Sequence, residues 1–160
     1  MFEAIKSVCG GSIYGPDSKC MNRFSVYSVD ICNDLTEHGV LPRKTGSEKT
    51  SDHMRGSRRF WRGVIDGDGS LTKGSGGRLK LSLSGSFSLL EQFVEFLRQS
   101  GIDCNQKPSR GNGNVYDITI LGDRAVRVAE ILYSDCRMRM RRKYDIYMSW
   151  VAMRDGGVKC

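Results

Sequence analysis

The chain has 160 residues, enough for one folded domain or two half-sized repeats and too many for a disulfide mini-protein. Its hydrophobic fraction of 39% and charged fraction of 27% are typical of globular proteins rather than of disordered or membrane proteins. Lys and Arg number 25 against 18 Asp and Glu, and the resulting net charge of +7 favours a polyanionic partner.

The six cysteines include no C-x-x-C pair and have no histidine at zinc-finger spacing. This pattern predicts free thiols in a reducing compartment rather than a zinc site. The chain has no apolar run of about 18 residues, and its start, MFEAIKSVCGG, does not read as a signal peptide. We therefore predict no membrane partner and a cytoplasmic location, or the organelle or virus-infected compartment that holds a nucleic-acid partner.

The first part of the chain predicts two strands, a short helix and a polar connection. The strands fall at 2–8 and 23–28, around a Gly-Pro-Asp turn, and the helix Val29–His38 ends at Gly39. The next segment, LPRKTGSEKTS, is rich in turn-forming residues and predicts a boundary.

The larger part predicts a helix, a hairpin, a helix, a second hairpin and two final helices. The first helix covers about 52–65, and four of its apolar residues share one face: Phe60, Trp61, Val64 and Ile65. The later elements are strands at 70–73 and 78–86, a helix at 87–99, strands at about 103–107 and 115–121, and helices at 123–133 and 143–152. This order predicts an α+β fold with an antiparallel sheet.

The order strand, turn, strand, helix and basic loop occurs twice, at 2–45 and at about 102–144. Both copies end in an Arg-Lys pair, Arg43-Lys44 and Arg142-Lys143. We therefore expect a partial repeat at 1–50, a complete repeat at 51–152 and a tail at 153–160.

The most informative segment of the sequence is Trp61-Arg62-Gly63-Val64-Ile65-Asp66-Gly67-Asp68-Gly69. It predicts an apolar helix that ends in two aspartates separated by a glycine. It resembles the motif of the LAGLIDADG homing endonucleases, from which Trp61 and Arg62 depart. The resemblance covers most of residues 23–148. It implies an αββαββα half-saddle with an antiparallel sheet, preceded here by a partial repeat.

The resemblance implies a site-specific double-strand DNA endonuclease, associated with a mobile element such as an intron or intein. Gly63 and Gly67 lie four residues apart on one helix face and would let a second motif helix approach, and Ile65 is assigned to the same helix interface. Asp68 is then predicted to be a catalytic ligand of Mg²⁺, with Gly67 beside it in the metal site. The metal would activate water for phosphodiester hydrolysis.

Two lysines are predicted to assist this chemistry. Lys44 precedes Asp68 by 24 residues, where members of the family carry a basic residue, and the repeat makes Lys143 its counterpart. A lysine beside the scissile phosphate stabilises developing charge. The alternatives are a solvated loop lysine at Lys44 and a lysine that caps or flanks a helix at Lys143.

Polar residues on and around the two hairpins are predicted to contact double-stranded DNA. Basic, hydroxyl and amide side chains are the groups that bind phosphates and base edges. The candidates are Arg43, Lys73, Arg78, Lys80, Ser82, Ser84, Lys107, Arg110, Asn112 and Asn114. Basic clusters at 43–62 and 137–143 are assigned to phosphates.

Only one motif is present, so several interpretations remain open. The chain homodimerises to rebuild a two-Asp site, or it needs a complementing motif-bearing fragment, or it binds DNA or RNA without cutting, as a regulator or splicing maturase. An unrelated basic α+β module is a further alternative. An EF-hand is a poor interpretation, because Leu71 and Gly77 stand where such a loop needs Gly and Glu.

Overall fold

The computed structural model describes residues 2–18, 21–40, 49–111, 113 and 115–155. It divides into two compact units, Met1–Glu37 and His38–Cys160. No helix in the described ranges is both long and apolar enough to cross a lipid bilayer.

The first unit contains helix α1 (Phe2–Cys9), strands β1 (Ser12–Tyr14) and β2 (Arg23–Ser25), and helix α2 (Val29–Glu37). The strands pair antiparallel, with Ile13 opposite Phe24. The strand predicted at 2–8 is wrong, because Phe2 and Ile5, which are partly buried, are spaced by one helical turn and share a face of α1. The helix predicted after β2 is confirmed.

The second unit contains α3 (Asp52–Arg55), α4 (Arg58–Gly67), β3 (Gly69–Lys73), β4 (Leu79–Gly85), α5 (Phe87–Gln99), β5 (Ser109–Arg110), β6 (Tyr116–Leu121), α6 (Asp123–Tyr133) and α7 (Arg141–Asp155). Its strands form one sheet in the order β3-β4-β6-β5, and all neighbours are antiparallel. The α+β class is therefore confirmed. The strand predicted at 103–107 is wrong, since those residues form no strand and the hairpin partner of β6 is the two-residue β5.

A break at Gly56 and Ser57 divides the helix predicted at 52–65. The Ser57 hydroxyl accepts a hydrogen bond from the Phe60 N–H at 3.2 Å and so caps the start of α4. Serine is a preferred N-cap and glycine is a poor helix former, which explains why the helix restarts here. The restarted helix directs Trp61 and Ile65 into the core, where neither has exposed surface.

Strand alternation gives the sheet one apolar and one polar side. The apolar side packs with α5 and α6 around a core that includes Leu71, Leu79, Leu81, Leu83, Ile118 and Ile120. On the other side none of the residues is buried, and we call this set the polar face: Ser70, Thr72, Lys80, Ser82, Ser84, Ser109, Asp117 and Thr119, with Leu121 at its end. The polar face is thus a surface available to a partner.

Candidate functional site

The two aspartates at the end of α4 have different surroundings. Asp66 is only 5% exposed, and its carboxylate accepts hydrogen bonds from the Tyr133 hydroxyl at 2.6 Å and the Met140 N–H at 2.8 Å. Asp68 is exposed and forms the C-cap of the helix, with its N–H bonded to the Val64 carbonyl at 2.9 Å. Of the two, Asp68 is therefore the carboxylate that a metal ion or water can reach.

The buried side chain of Lys143 caps the C-terminal end of α4. Its side chain is buried, and its ammonium donates to the carbonyls of Ile65 at 2.6 Å, Asp66 at 2.8 Å and Gly69 at 2.5 Å. The last carbonyls of a helix lack intrahelical partners, and an ammonium has three N–H donors, which here reach two carbonyls of the last turn of α4 and that of Gly69 at the start of β3. The geometry assigns Lys143 to the helix cap, because no donor remains for the phosphate that its predicted catalytic role requires.

Burial changes the acidity of the groups around this cap. It lowers the pKa of the Lys143 ammonium, although the charge of Asp66 acts in the opposite direction. It also raises the pKa of the Tyr133 hydroxyl far above its usual value, and the hydrogen bond to Asp66 adds to that increase. Tyr133 therefore remains a protonated donor to Asp66 at physiological pH.

The glycine face of α4 is open. A Cβ atom added at Gly63 or at Gly67 would meet nothing within 4 Å among the described residues, and both positions are exposed. The prediction that Ile65 belongs to the helix interface is wrong. Ile65 lies about 200° around the helix from Gly63, at 100° per residue, and has no exposed surface.

We expect opposite effects from adding a methyl group at the two ends of this motif. Gly63→Ala should leave the free energy of unfolding unchanged or raise it by up to about 1 kcal/mol, because the site is open and alanine favours helix. Gly69→Ala should lower it by about 1–3 kcal/mol, because its Cβ would lie 2.7 Å from the Ile65 carbonyl oxygen. Urea denaturation of both variants checks this, and equal stabilities would contradict it.

The predicted metal site consists of Asp68 and the adjacent Gly67, both exposed at the end of α4. Within the described ranges no group of three or more His, Cys, Asp or Glu could hold a metal ion. Magnesium is commonly held by one or two carboxylates together with waters and substrate phosphates. Asp68 supplies a single carboxylate, so a Mg²⁺ ion there would need its other ligands from water, a bound phosphate or a second carboxylate.

The predicted DNA contacts are brought together only in part. Lys80, Ser82 and Ser84 share the polar face, and Arg78 is exposed just before β4. Lys73 pairs with Leu79 and Arg110 pairs with Tyr116. Both residues therefore belong to the apolar side of the sheet rather than to the polar face, although each is exposed at the end of its strand. The remaining candidates are Lys107, which is exposed before β5, and Arg43, Lys44, Asn112 and Asn114, which lie outside the described residues.

Several polar-face residues were missing from the sequence prediction. Ser70 and Thr72 of β3 and Asp117 and Thr119 of β6 alternate with buried apolar residues. The alternation in YDITIL was the signal that could have identified Asp117 and Thr119.

Three of the arginines assigned to phosphates make contacts within the protein. Arg58 and Arg62 on α4 donate to Ser134 and to the Leu132 carbonyl near the end of α6, both at 3.2 Å. Arg139 donates to the Cys136 carbonyl and lies 3.8 Å from the centre of the Tyr144 ring. These three arginines therefore also hold neighbouring segments of the second unit together.

Comparison of the sequence with protein-family models and with curated proteins found no match.

Proposed function

We propose that this chain is one motif-bearing half of a site-specific, divalent-metal-dependent DNA endonuclease, in which the polar face binds double-stranded DNA and Asp68 helps to hold the metal. One observation carries the proposal. Asp68 ends α4 and immediately precedes β3, whose first residue, Gly69, pairs with Leu83. The exposed carboxylate is therefore next to the polar face along the chain.

The chemistry of the polar face supports a nucleic-acid partner. Three adjacent strands span roughly 10 Å, and the major groove of B-DNA is about 12 Å wide. Hydroxyl groups contact both phosphates and base edges, and Lys80 adds a positive charge on the inner strand β4. A bound Mg²⁺ would supply activated water and charge neutralisation.

The open helix face supports the idea that a second half completes the site. Gly63 and Gly67 present α4 to solvent without a side chain, which lets another helix approach closely. A second motif helix would bring its own carboxylate near Asp68. That helix comes either from another copy of this chain or from a complementing fragment.

Cleavage of random DNA by the chain in Mg²⁺ tests the proposal. We expect the wild-type chain to linearise a small subset of circular duplexes that carry a random insert, and sequencing of the products to give one shared site. Asp68→Asn should reduce the yield of linear DNA at least about 100-fold, because it removes a charged ligand. Chelation of Mg²⁺ should do the same.

The matched control is Asp103→Asn, an identical change at an exposed aspartate in the loop after α5. It should cut as the wild type does. Undiminished cutting by Asp68→Asn would refute the role of Asp68. A shared site that is palindromic indicates a homodimer, and loss of that dimer in Gly63→Arg, measured by light scattering, would identify α4 as its interface.

A second candidate is a DNA- or RNA-binding protein without nuclease activity. The commitment of Lys143 to the helix cap favours it, because the three donors of that ammonium are bonded to carbonyls and none is left for a phosphate. Binding without any Mg²⁺- or Mn²⁺-dependent cleavage, unchanged by Asp68→Asn, would select this function.

A further inference from the structure

Asp117 places a carboxylate in an end row of the polar face, a surface that phosphate binding alone would keep neutral or positive. It lies on β6 between Ser84 of β4 and Ser109 of β5, in one row across the polar face. Among the described strands it is the only acidic residue on that face. A negative charge there opposes non-specific DNA binding, which depends on cations.

The carboxylate of Asp117 is held in a defined orientation. The Ser84 hydroxyl donates to its Oδ1 at 2.5 Å from the neighbouring strand. Its Oδ2 lies over Gly111, where an added Cβ would come within 2.6 Å of that oxygen. Neither ion pair of the described residues involves Asp117.

The hydrogen bond between Ser84 and Asp117 does not by itself require an acidic residue at position 117. A cross-strand hydrogen bond from Ser84 needs an acceptor, which asparagine or threonine would also provide without charge. An oriented carboxylate can only accept hydrogen bonds when ionised. It therefore fits a partner that offers a donor and no adjacent acceptor.

We propose that Asp117 selects cytosine in DNA bound to the polar face, by accepting a hydrogen bond from the exocyclic N4 amino group; this inference rests on the proposed function. In the major groove, cytosine presents only that donor. Guanine presents two acceptors, thymine an acceptor and a methyl group, and adenine an acceptor next to its donor. A carboxylate therefore rejects the other three bases by repulsion or poor fit.

Selection of binding sites from random duplex DNA tests this inference apart from cleavage. The parent chain carries Asp68→Asn so that DNA stays intact in Mg²⁺, and it is compared with the same chain carrying Asp117→Asn, Asp117→Glu or the control Asp103→Asn. We expect the parent and the control to share a site with one invariant cytosine. Replacing that cytosine should weaken binding by the parent on the order of tenfold.

The Asp117→Asn chain should lose the cytosine preference at that position alone and take adenine instead, because an amide pairs with the adenine donor and acceptor. Asp117→Glu should still prefer cytosine at that position, with a smaller ratio of its affinity for cytosine to its affinity for the other bases. If the Asp117→Asn chain does not fold, this variant tests the inference instead. An unchanged site in both variants would overturn the inference while leaving DNA binding intact. Failure of the parent chain to select any site would overturn both proposals.

Discussion

Asp66→Ala should lower the free energy of unfolding by about 3–5 kcal/mol, the largest effect that we expect from a single substitution. The Asp66 carboxylate is buried and binds the Tyr133 hydroxyl and the Met140 N–H. Its removal leaves these two donors unsatisfied and takes away the carboxylate that lies near the buried ammonium of Lys143. Equilibrium urea denaturation measures the loss.

Asp68→Ala is the matched control, since the two aspartates stand two residues apart on the same helix end. Asp68 is exposed, so its replacement should change the free energy of unfolding by less than about 0.5 kcal/mol. A loss of stability in Asp66→Ala as small as that in Asp68→Ala would show that the buried network does not stabilise the fold. The pair thus separates a structural aspartate from the candidate catalytic one.

Lys143→Met should lower the free energy of unfolding by about 2–4 kcal/mol. Methionine fills a similar volume, but it removes the buried ammonium that donates to the carbonyls of Ile65, Asp66 and Gly69, of which only Ile65 also accepts from the Asp68 N–H among the contacts described at this helix end. Thermal and urea denaturation measure the loss, and amide exchange of the last turn of α4 should accelerate with it.

The control for this variant is Lys80→Met, which removes a partly exposed lysine from the polar face and should cost less than about 0.5 kcal/mol. The double variant Asp66→Ala/Lys143→Met should lose less free energy of unfolding than the sum of the two single losses, since the two side chains belong to one network. Equal stability of Lys143→Met and the wild type would contradict the role of the helix cap.

Local signals in the sequence predicted most of the second unit. The helix α5 has its predicted bounds because Ser86 caps its start, with its hydroxyl accepting from the Leu89 N–H, and Gly101 follows its end at a positive φ of 77°. The hairpin of β3 and β4 follows from alternation. Both signals act between residues that are near in sequence.

The errors arose where a short segment had no strong pattern or where the partner was distant. In the eight residues of α1 only Phe2 and Ile5 are partly buried, and one such pair is too short a pattern to distinguish a helix from a strand. The motif singled out Asp68 as the candidate metal ligand, but the contacts that Tyr133, Met140 and Lys143 make at the end of α4 join residues 67 to 78 positions apart. No pattern within a window of the sequence reveals such contacts.

The cap provided by Lys143 has a consequence for the order in which the protein is made. The ammonium reaches the Asp66 carbonyl from 77 residues further along the chain. On the ribosome, α4 and the hairpin after it therefore emerge well before the lysine that completes the acidic end of the helix. A nascent chain would therefore carry the hairpin of β3 and β4 before the helix end that precedes it receives its cap.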